Sequence, residues 1–585
     1  MYLTALIYVF IYLVPTIGGQ VREKCYSSYH CSSLVRRGFF DNPIDLSDGQ
    51  YRDFRSSVPL IVITSLLSVG LQSFLSWILR HFNVKDSQKQ RAIVAYHVAF
   101  GITFLFIQHK YHMIVVLLIC LMTYVLLLLS VATQYPLSLM WIYAIFVMLF
   151  KECYRLKLLR HAFPSLDAIF DKNSYGGMYA WQFPANFLVL RIVSFSADYI
   201  RCLGSSKTFK SKTMMKRENK AKISAQEIEK FSDREDGHLQ LEDYNLMNML
   251  AYLIYSPLYI AGPIISFDDF VKYLRNPQRK ENVFIYLMRW CGAFIMMEVM
   301  CTYYPFFAVI NSGLFRLLNA PEIAVVSYMT LKMMWLKFLL IWRLFRIWAL
   351  LDGIAPPENM VKCMSNNCSL EGFWRGWHSS FNKWILSYMY VPMGGKDNKI
   401  WSVWVIFLFV AIWHDLEIKL IAWGLLNSTF LVIEVISRRI HTSRSFQSLP
   451  NFIKNTIEII SGASFIFVLI GVNMVGYAVG LTGTTEIAQK LLSVDGTKTM
   501  IASFFILIIG VCIMRYYERF KLERIDSAYS AFEATTESRI ERNTTKLKKE
   551  KKDSRENMEK RLSRRRSSSV SRTKNKGRTE SRKRR

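Results

Sequence analysis

The sequence predicts an all-α, polytopic integral membrane protein with about 10–12 transmembrane or re-entrant helices. Of its 585 residues, 52% are hydrophobic and 14% are aromatic, and the mean hydropathy is positive. Apolar segments close to the length that crosses a bilayer, about 20 residues, recur through most of the chain. A soluble protein of this length would divide into several domains with polar surfaces, so the composition excludes that class.

Twelve apolar segments account for the predicted helices. They lie near residues 2–17, 58–80, 92–108, 112–133, 137–151, 246–266, 283–310, 323–350, 401–413, 418–436, 456–481 and 498–514. Several are short or interrupted, so we expect some of them to re-enter the membrane instead of crossing it.

Residues 1–57 combine a first membrane helix with a polar loop. The small residues Gly18 and Gly19 resemble the end of a cleaved signal segment. No Lys or Arg precedes the apolar stretch, however, and this favours a retained helix.

Two cysteine pairs are close enough in sequence to form disulfides in an oxidising lumen. One pair is Cys25 and Cys31, in the polar loop, and the other is Cys363 and Cys368. Free thiols are the alternative for each pair.

Residues 58–204 form the amino-terminal helical part of the membrane domain. Within it, the aromatic-rich stretch 175–200 carries Arg191 and Asp198, which favours a helix lying in the membrane interface over one that crosses. Residues 205–240 have many lysines and no apolar period, so they predict a flexible, basic cytosolic insert.

Residues 515–585 predict a disordered tail. They contain 25 Lys and Arg against 11 Asp and Glu, a net charge of +14 out of the formal +30 of the chain. The positive-inside rule places such a tail in the cytosol, where anionic lipids are its expected partners. A nucleic-acid partner is disfavoured because the tail is attached to a membrane domain and lacks interleaved aromatic residues.

Residues 241–514 form the predicted catalytic core. Its first segment, LEDYNLMNMLAYLIYSPLYIAGPIISFDDF, is interrupted at Pro257 and at Gly262 and Pro263. Helix breaks at membrane depth are tolerated where protein or a water-lined cavity satisfies the freed backbone groups. We therefore expect this segment to line the interior.

The stretch 371–415 carries the candidate chemistry. It reads EGFWRGWHSSFNKWILSYMYVPMGG and then KDNKIWSVWVIFLFVAIWHD, which sets His378 and His414 among aromatic and aliphatic residues. If FWRGWHSSFNKW forms one helix, Trp374, His378 and Asn382 share a face at i, i+4 spacing. His414 ends the next helix, so the two imidazoles are expected to meet in one cavity.

A pair of buried imidazoles is suited to general-base catalysis. A neutral imidazole accepts a proton from a hydroxyl at neutral pH, and an alcohol deprotonated in this way attacks a thioester directly. The chain has no GxSxG nucleophile elbow, which agrees with direct transfer. A structural role for either histidine is the alternative.

These residues resemble the signature of the membrane-bound O-acyltransferase superfamily. WRGWHSSFNKWILSYMYVPMGG followed by a helix ending IWHD matches the family pattern, and the resemblance implies that His414 is the catalytic histidine. His378 matches a second polar position, which is Asn, Asp or His in different branches. WRLFRIWALLDGIAPPENMVKCMSNN and QYRDFRSS extend the resemblance toward the glycerol uptake subfamily, across most of 51–427.

The resemblance implies a fold with a membrane-crossing cavity in the endoplasmic reticulum membrane. It implies transfer of a long-chain acyl group from acyl-CoA, as co-substrate without a bound cofactor or metal, to a lipid. The implied acceptor is the sn-2 hydroxyl of a lyso-glycosylphosphatidylinositol (lyso-GPI) anchor lipid, free or on a GPI-anchored protein. Candidate phosphate ligands are Arg375, Lys383, Arg343 and Arg346, with Trp374 and Asn382 beside the histidines.

Three alternatives stay open. The subfamily name suggests a glycerol transporter, although the sequence shows no inverted repeat with matched broken halves. Acylation of a protein, as in the Hedgehog acyltransferase branch, is the second, and a catalytically inactive scaffold is the third. His378 in place of Asp favours a lipid acceptor, and the presence of His414 argues against the scaffold. Snorkelling to a headgroup layer is the alternative role for Arg343 and Arg346.

Overall fold

A computed structural model describes residues 9–38, 41–156, 180–205, 239–277 and 282–521. Within those ranges almost all regular structure is helical, and one small antiparallel sheet pairs β1 (Val35–Arg37) with β2 (Pro43–Asp45). The predicted all-α class is therefore confirmed. Residues 1–512 form one compact unit, and the described part of a second unit, residues 513–521, is helical.

The amino-terminal part of the first unit contains short helices before β1 and long ones after β2. They are α1 (Val14–Ser27), α2 (Tyr29–Ser32), α3 (Gly49–His81), α4 (Asp86–His109), α5 (Met113–Ser130), α6 (Pro136–Arg155) and α7 (Gln182–Ser205). A 3-10 turn at Lys110–His112 joins α4 to α5. A disulfide joins Cys25 to Cys31, whereas Cys363 and Cys368 are not bonded to each other.

The carboxyl-terminal part alternates long helices with short ones. They are α8 (Leu246–Leu253), α9 (Ser256–Tyr259), α10 (Phe267–Arg275), α11 (Val283–Tyr303), α12 (Phe306–Asn311), α13 (Ala320–Leu351), α14 (Leu370–Gly376), α15 (Ser379–Ile385), α16 (Lys399–His414), α17 (Ile418–His441), α18 (Arg444–Gln447), α19 (Asn451–Asn473), α20 (Gly480–Leu491) and α21 (Val494–Lys521). Of these, α16 and α17 pack along each other most extensively.

Eight helical stretches in the described ranges are long and apolar enough to cross a membrane. They are α3, α4 joined to α5, α6, α11, α13, α17, α19 with the π turn that follows it, and α21. The apolar helix α16 is shorter, and the predicted segment 246–266 is a broken helix pair instead of a span. Part of the predicted first helix, nearly all of the predicted insert and most of the predicted tail lie outside the described residues.

Helix α7 is buried in the protein, so the prediction of an interfacial helix was wrong. Every residue from 188 to 198 is buried, including Arg191 and Asp198. A helix that is buried on all sides belongs to the core even when it carries charges, provided that each charge has a partner. The tyrosine hydroxyl of Tyr388 donates to Asp198 at 2.9 Å.

Arg191 explains how the broken segment between α8 and α9 is tolerated. Its guanidinium donates to the carbonyl oxygens of Tyr252 and Leu253, at 3.0 and 2.9 Å, and to that of Leu258. Those carbonyls are left without helical partners because the chain breaks before Pro257. The segment lines the interior as predicted, and a side chain from another helix satisfies its freed backbone groups.

Ion pairs and polar contacts connect the start of α3 to α11 and to the middle of α13. Lys337 pairs with Asp48 at 2.8 Å, and Arg55 pairs with Glu298 at the same distance. Burial raises the pKa of Asp45, although its carboxylate accepts a hydrogen bond from the backbone of Ala308. These contacts hold the start of α3 against α11 and α13.

Candidate active site

The backbone at His378 is the first feature of the site. α14 ends at Gly376, and His378 has φ 46° and ψ 48°, in the left-handed region, before α15 begins at Ser379. The predicted single helix through FWRGWHSSFNKW was therefore wrong. Trp374, His378 and Asn382 do not form one row, because the chain turns between the first and the second.

Tertiary hydrogen bonds explain this break. The backbone N–H of Ser379 donates to the carbonyl oxygen of Asn359 at 3.0 Å. The hydroxyl of Ser380 donates to Oδ1 of Asn359 at 2.5 Å and accepts from the N–H of Ile264 at 2.8 Å. The first turn of α15 thus finds its partners on other segments, which satisfies backbone groups that a continuous helix would have satisfied itself.

The His378 imidazole is buried among aromatic rings. It is 7% exposed, and its ring centroid lies 4.3 Å from that of Trp342 and 5.2 Å from that of Phe381, both edge to face. Its Nδ1 atom is buried and has no hydrogen-bond partner among the described residues. A buried polar atom without a partner is uncommon in a native protein, and a ligand is one physical explanation.

His414, the last residue of α16, lies close to His378. Trp413 stands beside both imidazoles, with its ring centroid 6.3 Å from that of His378 and 4.8 Å from that of His414. The structure therefore brings together the two histidines that the sequence singles out.

Besides Trp413, two more aromatic rings lie near the His414 imidazole, one on α17 and one in the π turn Met474–Ala478. The ring of Tyr477 lies 5.9 Å and that of Trp423 lies 6.4 Å from the imidazole. A Cβ atom on residue 476 would lie 2.6 Å from the indole of Trp423, so Gly476 is what permits this close approach. The π turn adds a residue to the helix and thereby changes the face on which Tyr477 lies.

Trp374 and Asn382 lie on either side of the break at His378. The Trp374 ring packs edge to face at 5.6 Å on both Phe407 and Trp423. Its Nε1 atom is a second buried group without a hydrogen-bond partner among the described residues. Asn382 is half-buried, one turn into α15.

A cluster of cations surrounds Glu371 at the end of the bundle where α16 begins. Arg375, Lys399 and Arg438 lie 2.5, 3.6 and 3.0 Å from its carboxylate. Arg438 also pairs with Glu434 at 2.5 Å. The Arg375 side chain is 67% exposed, so the cluster is open to solvent and carries more positive than negative charge. We call Arg375, Lys399 and Arg438 the cation cluster.

The side chains of Arg343 and Arg346 contact other groups of the same chain. Arg346 is buried and donates to the carbonyl oxygen of Pro356 at 2.8 Å. Arg343 lies 3.4 Å from the carboxylate of Glu358, and the guanidinium groups of both arginines face the ring of Tyr286. Their role as phosphate ligands stays a prediction.

One residue that sequence reasoning missed is Asn186 on α7. Its side-chain amide donates to the carbonyl oxygen of His414 at 3.3 Å, and its backbone oxygen accepts from Nε1 of Trp413 at 2.8 Å. These contacts join positions more than 220 residues apart, so no local pattern reveals them.

Two further properties of the described residues bear on ligands. No group of three or more His, Cys, Asp or Glu side chains among them has the arrangement of a metal site. A small, partly open, mainly apolar groove of about 30 Å³ lies between α13 and α19. Phe373 and Asn473 are among its lining residues, and Asn473 accepts a hydrogen bond from Nε1 of Trp423. The groove therefore adjoins the aromatic rings around His414.

A helical, multipass protein that gathers two imidazoles around one indole has the architecture of an integral membrane enzyme. The family model for "MBOAT, membrane-bound O-acyltransferase family" matches residues 137–479, more than half of the chain. The chain therefore belongs to the membrane-bound O-acyltransferase family and is an acyltransferase, which confirms the resemblance found in the sequence.

Named relatives give the same family. The chain is similar to the membrane-bound O-acyltransferase gup1 of Schizosaccharomyces pombe, with 33% identity over 523 residues, 86% of this chain and 87% of that protein. It is similar to the membrane-bound O-acyltransferase GUP1 of Saccharomyces cerevisiae, with 31% identity over 82% of this chain and 84% of that protein. Similarity to the mouse protein-cysteine N-palmitoyltransferase HHAT is weaker, 23% identity over 33% of this chain and 40% of that protein.

Proposed function

We propose that the protein transfers a long-chain acyl group from acyl-CoA to the sn-2 hydroxyl of a lyso-GPI anchor lipid, with His414 as the general base. The observation that carries the proposal is that the imidazoles of His414 and His378 both lie beside the Trp413 indole, among further aromatic rings. Apolar surroundings strengthen electrostatic interactions with a bound substrate.

The proposed reaction needs one proton transfer in each direction. His414 accepts the proton of the acceptor hydroxyl as that oxygen attacks the thioester carbonyl. The new C–O bond forms, the C–S bond breaks, and the leaving thiolate of CoA takes the proton back from the His414 imidazolium. His378 contributes a polar atom that holds a substrate group, and its Nδ1, which has no hydrogen-bond partner among the described residues, supports this role.

The donor is proposed to bind with its phosphates on the cation cluster. Guanidinium groups bind phosphate in bidentate fashion, and an ammonium adds charge. The cluster and His414 lie at opposite ends of α16, whose 16 residues span about 24 Å. An extended donor with phosphates at one end and a thioester at the other, as in acyl-CoA, suits this separation.

We further propose a location in the endoplasmic reticulum membrane with the basic tail in the cytosol. The lysine and arginine excess of residues 515–585 supports that orientation through the positive-inside rule.

The test uses membranes containing the full chain, labelled long-chain acyl-CoA and a lyso-GPI acceptor. We expect label in the anchor lipid with the parent protein and with His81→Ala, a matched control whose exposed histidine lies at the end of α3. We expect no transfer with His414→Ala. Transfer by His414→Ala would overturn the role of His414 as the base. Label in a peptide instead of the lipid would show a protein acceptor. Glycerol uptake in sealed vesicles without acyl transfer would show a transporter.

A further inference from the structure

Lys151 and Glu152 form an ion pair inside the protein near the end of α6. Nζ of Lys151 lies 2.6 Å from Oε1 of Glu152, and the two side chains are only 3% and 5% exposed. Replacing a buried ion pair by apolar residues is often neutral or stabilising. Stability alone therefore does not explain why this ion pair is present. The other contacts of Lys151 and Glu152 point to a further role.

Those contacts lead to His414 through Asn186. Nζ of Lys151 donates to Oδ1 of Asn186 at 2.9 Å. The other end of the same amide donates to the carbonyl oxygen of His414, and the backbone oxygen of Asn186 receives the indole N–H of Trp413. A single residue of α7 thus contacts both the backbone of His414 and the Trp413 indole that lies beside the two imidazoles.

Asp415, the residue after His414, is also contacted by residues of α6. Asp415 lies 3.9 Å from both Lys151 and Arg155, and Arg155 pairs with Glu152 at 2.8 Å. Because His414 is the last helical residue of α16 and Asp415 is already extended, this end has no further turn to restrain it. Helix ends fray unless contacts of this kind hold them.

We propose that Asn186 and Lys151 are positioning residues for His414. The lysine charge orients the amide, and the amide fixes the end of α16 and the Trp413 indole, so that the imidazole meets the acceptor hydroxyl in the reactive geometry. This inference rests on the proposed role of His414 as the base. Displacing a catalytic group by about 1 Å can lower a rate about 100-fold, so weak contacts at this point have a large effect on rate.

The experiment compares Asn186→Leu, Lys151→Met and the double variant in the purified full chain. We expect each single variant to lower kcat between about 10-fold and 100-fold with KM for acyl-CoA unchanged, because the donor phosphates bind elsewhere. The double variant should be no slower than the slower single variant, because residues that act through one contact are not additive. Lys419→Gln is the matched control, since Lys419 is half exposed and pairs with Glu417 at the same end of the bundle.

Two outcomes would overturn the inference. One is a folded Asn186→Leu protein, judged by thermal melting and monodispersity, that keeps the parent kcat or changes only KM. The other is an additive loss in the double variant. Asn186→Leu carries the test even if Lys151→Met fails to fold, because it leaves Lys151 and Glu152 paired. His414→Ala is measured beside these variants. If His414→Ala stays active, the proposed base is wrong. If His414→Ala is inactive while Asn186→Leu and Lys151→Met keep the parent kcat, the positioning role fails and the proposed base stands.

Discussion

His378 combines an unusual backbone conformation with a ring nitrogen that has no hydrogen-bond partner in the described part of the chain. Among non-glycine residues the left-handed region is uncommon, and Asn, Asp and His occupy it most readily. The residue type at 378 therefore satisfies two requirements, a polar atom inside the aromatic cluster and a backbone that turns between α14 and α15.

A pair of substitutions at this position separates the two requirements. We expect His378→Asn to keep the melting temperature of the parent, because Asn tolerates the left-handed region. We expect His378→Val to lose about 1–2 kcal/mol of stability, since a β-branched residue is strained there. Thermal unfolding of the purified protein in one detergent measures both. Equal stability of the two variants would show that the backbone at 378 is not left-handed.

At the scale of elements, the helix breaks depend on partners supplied from elsewhere in the chain. The break between α8 and α9 has Arg191 of α7 as its partner, and the break between α14 and α15 has Asn359. Each partner lies on a segment remote in sequence. Element boundaries in this protein therefore report tertiary contacts as much as local helix propensity.

The prediction at the scale of elements concerns Arg191. Arg191→Leu leaves three buried carbonyl oxygens without their donor, and each such loss costs about 1–3 kcal/mol, so we expect destabilisation of more than about 3 kcal/mol. The matched control is Arg52→Leu, because Arg52 pairs with Asp53 at the surface and such pairs contribute about 0–1 kcal/mol. Melting temperatures measure both, and comparable shifts for the two variants would contradict the assigned role.

At the scale of the whole molecule, the cation cluster and His414 lie at opposite ends of α16. The cation cluster surrounds Glu371 at the start of this helix, and His414 is its last residue. Under the proposed function, this separation would divide donor binding from proton transfer, and the two regions should then have different kinetic signatures.

The Lys399→Gln and Arg438→Gln double variant tests that division. We expect KM for acyl-CoA to rise about 10-fold, with kcat retained, because each lost charge-assisted contact removes binding made equally in ground and transition state. The effect should shrink at high ionic strength, since exposed charges are screened. Arg316→Gln, whose arginine pairs with Glu486, is the control. A fall in kcat at constant KM would contradict phosphate binding at the cluster.

The sequence by itself determined the membrane class and the two histidines, because apolar segment length and residue type are local properties. Only the tertiary structure decided that α7 is a core helix, that the chain turns at His378, and that Asn186 reaches the end of α16. A charge such as Arg191 predicts an interface when its partners are unknown. Its partners are carbonyl oxygens more than 60 residues away, and contacts at that separation exist only after the helices have packed.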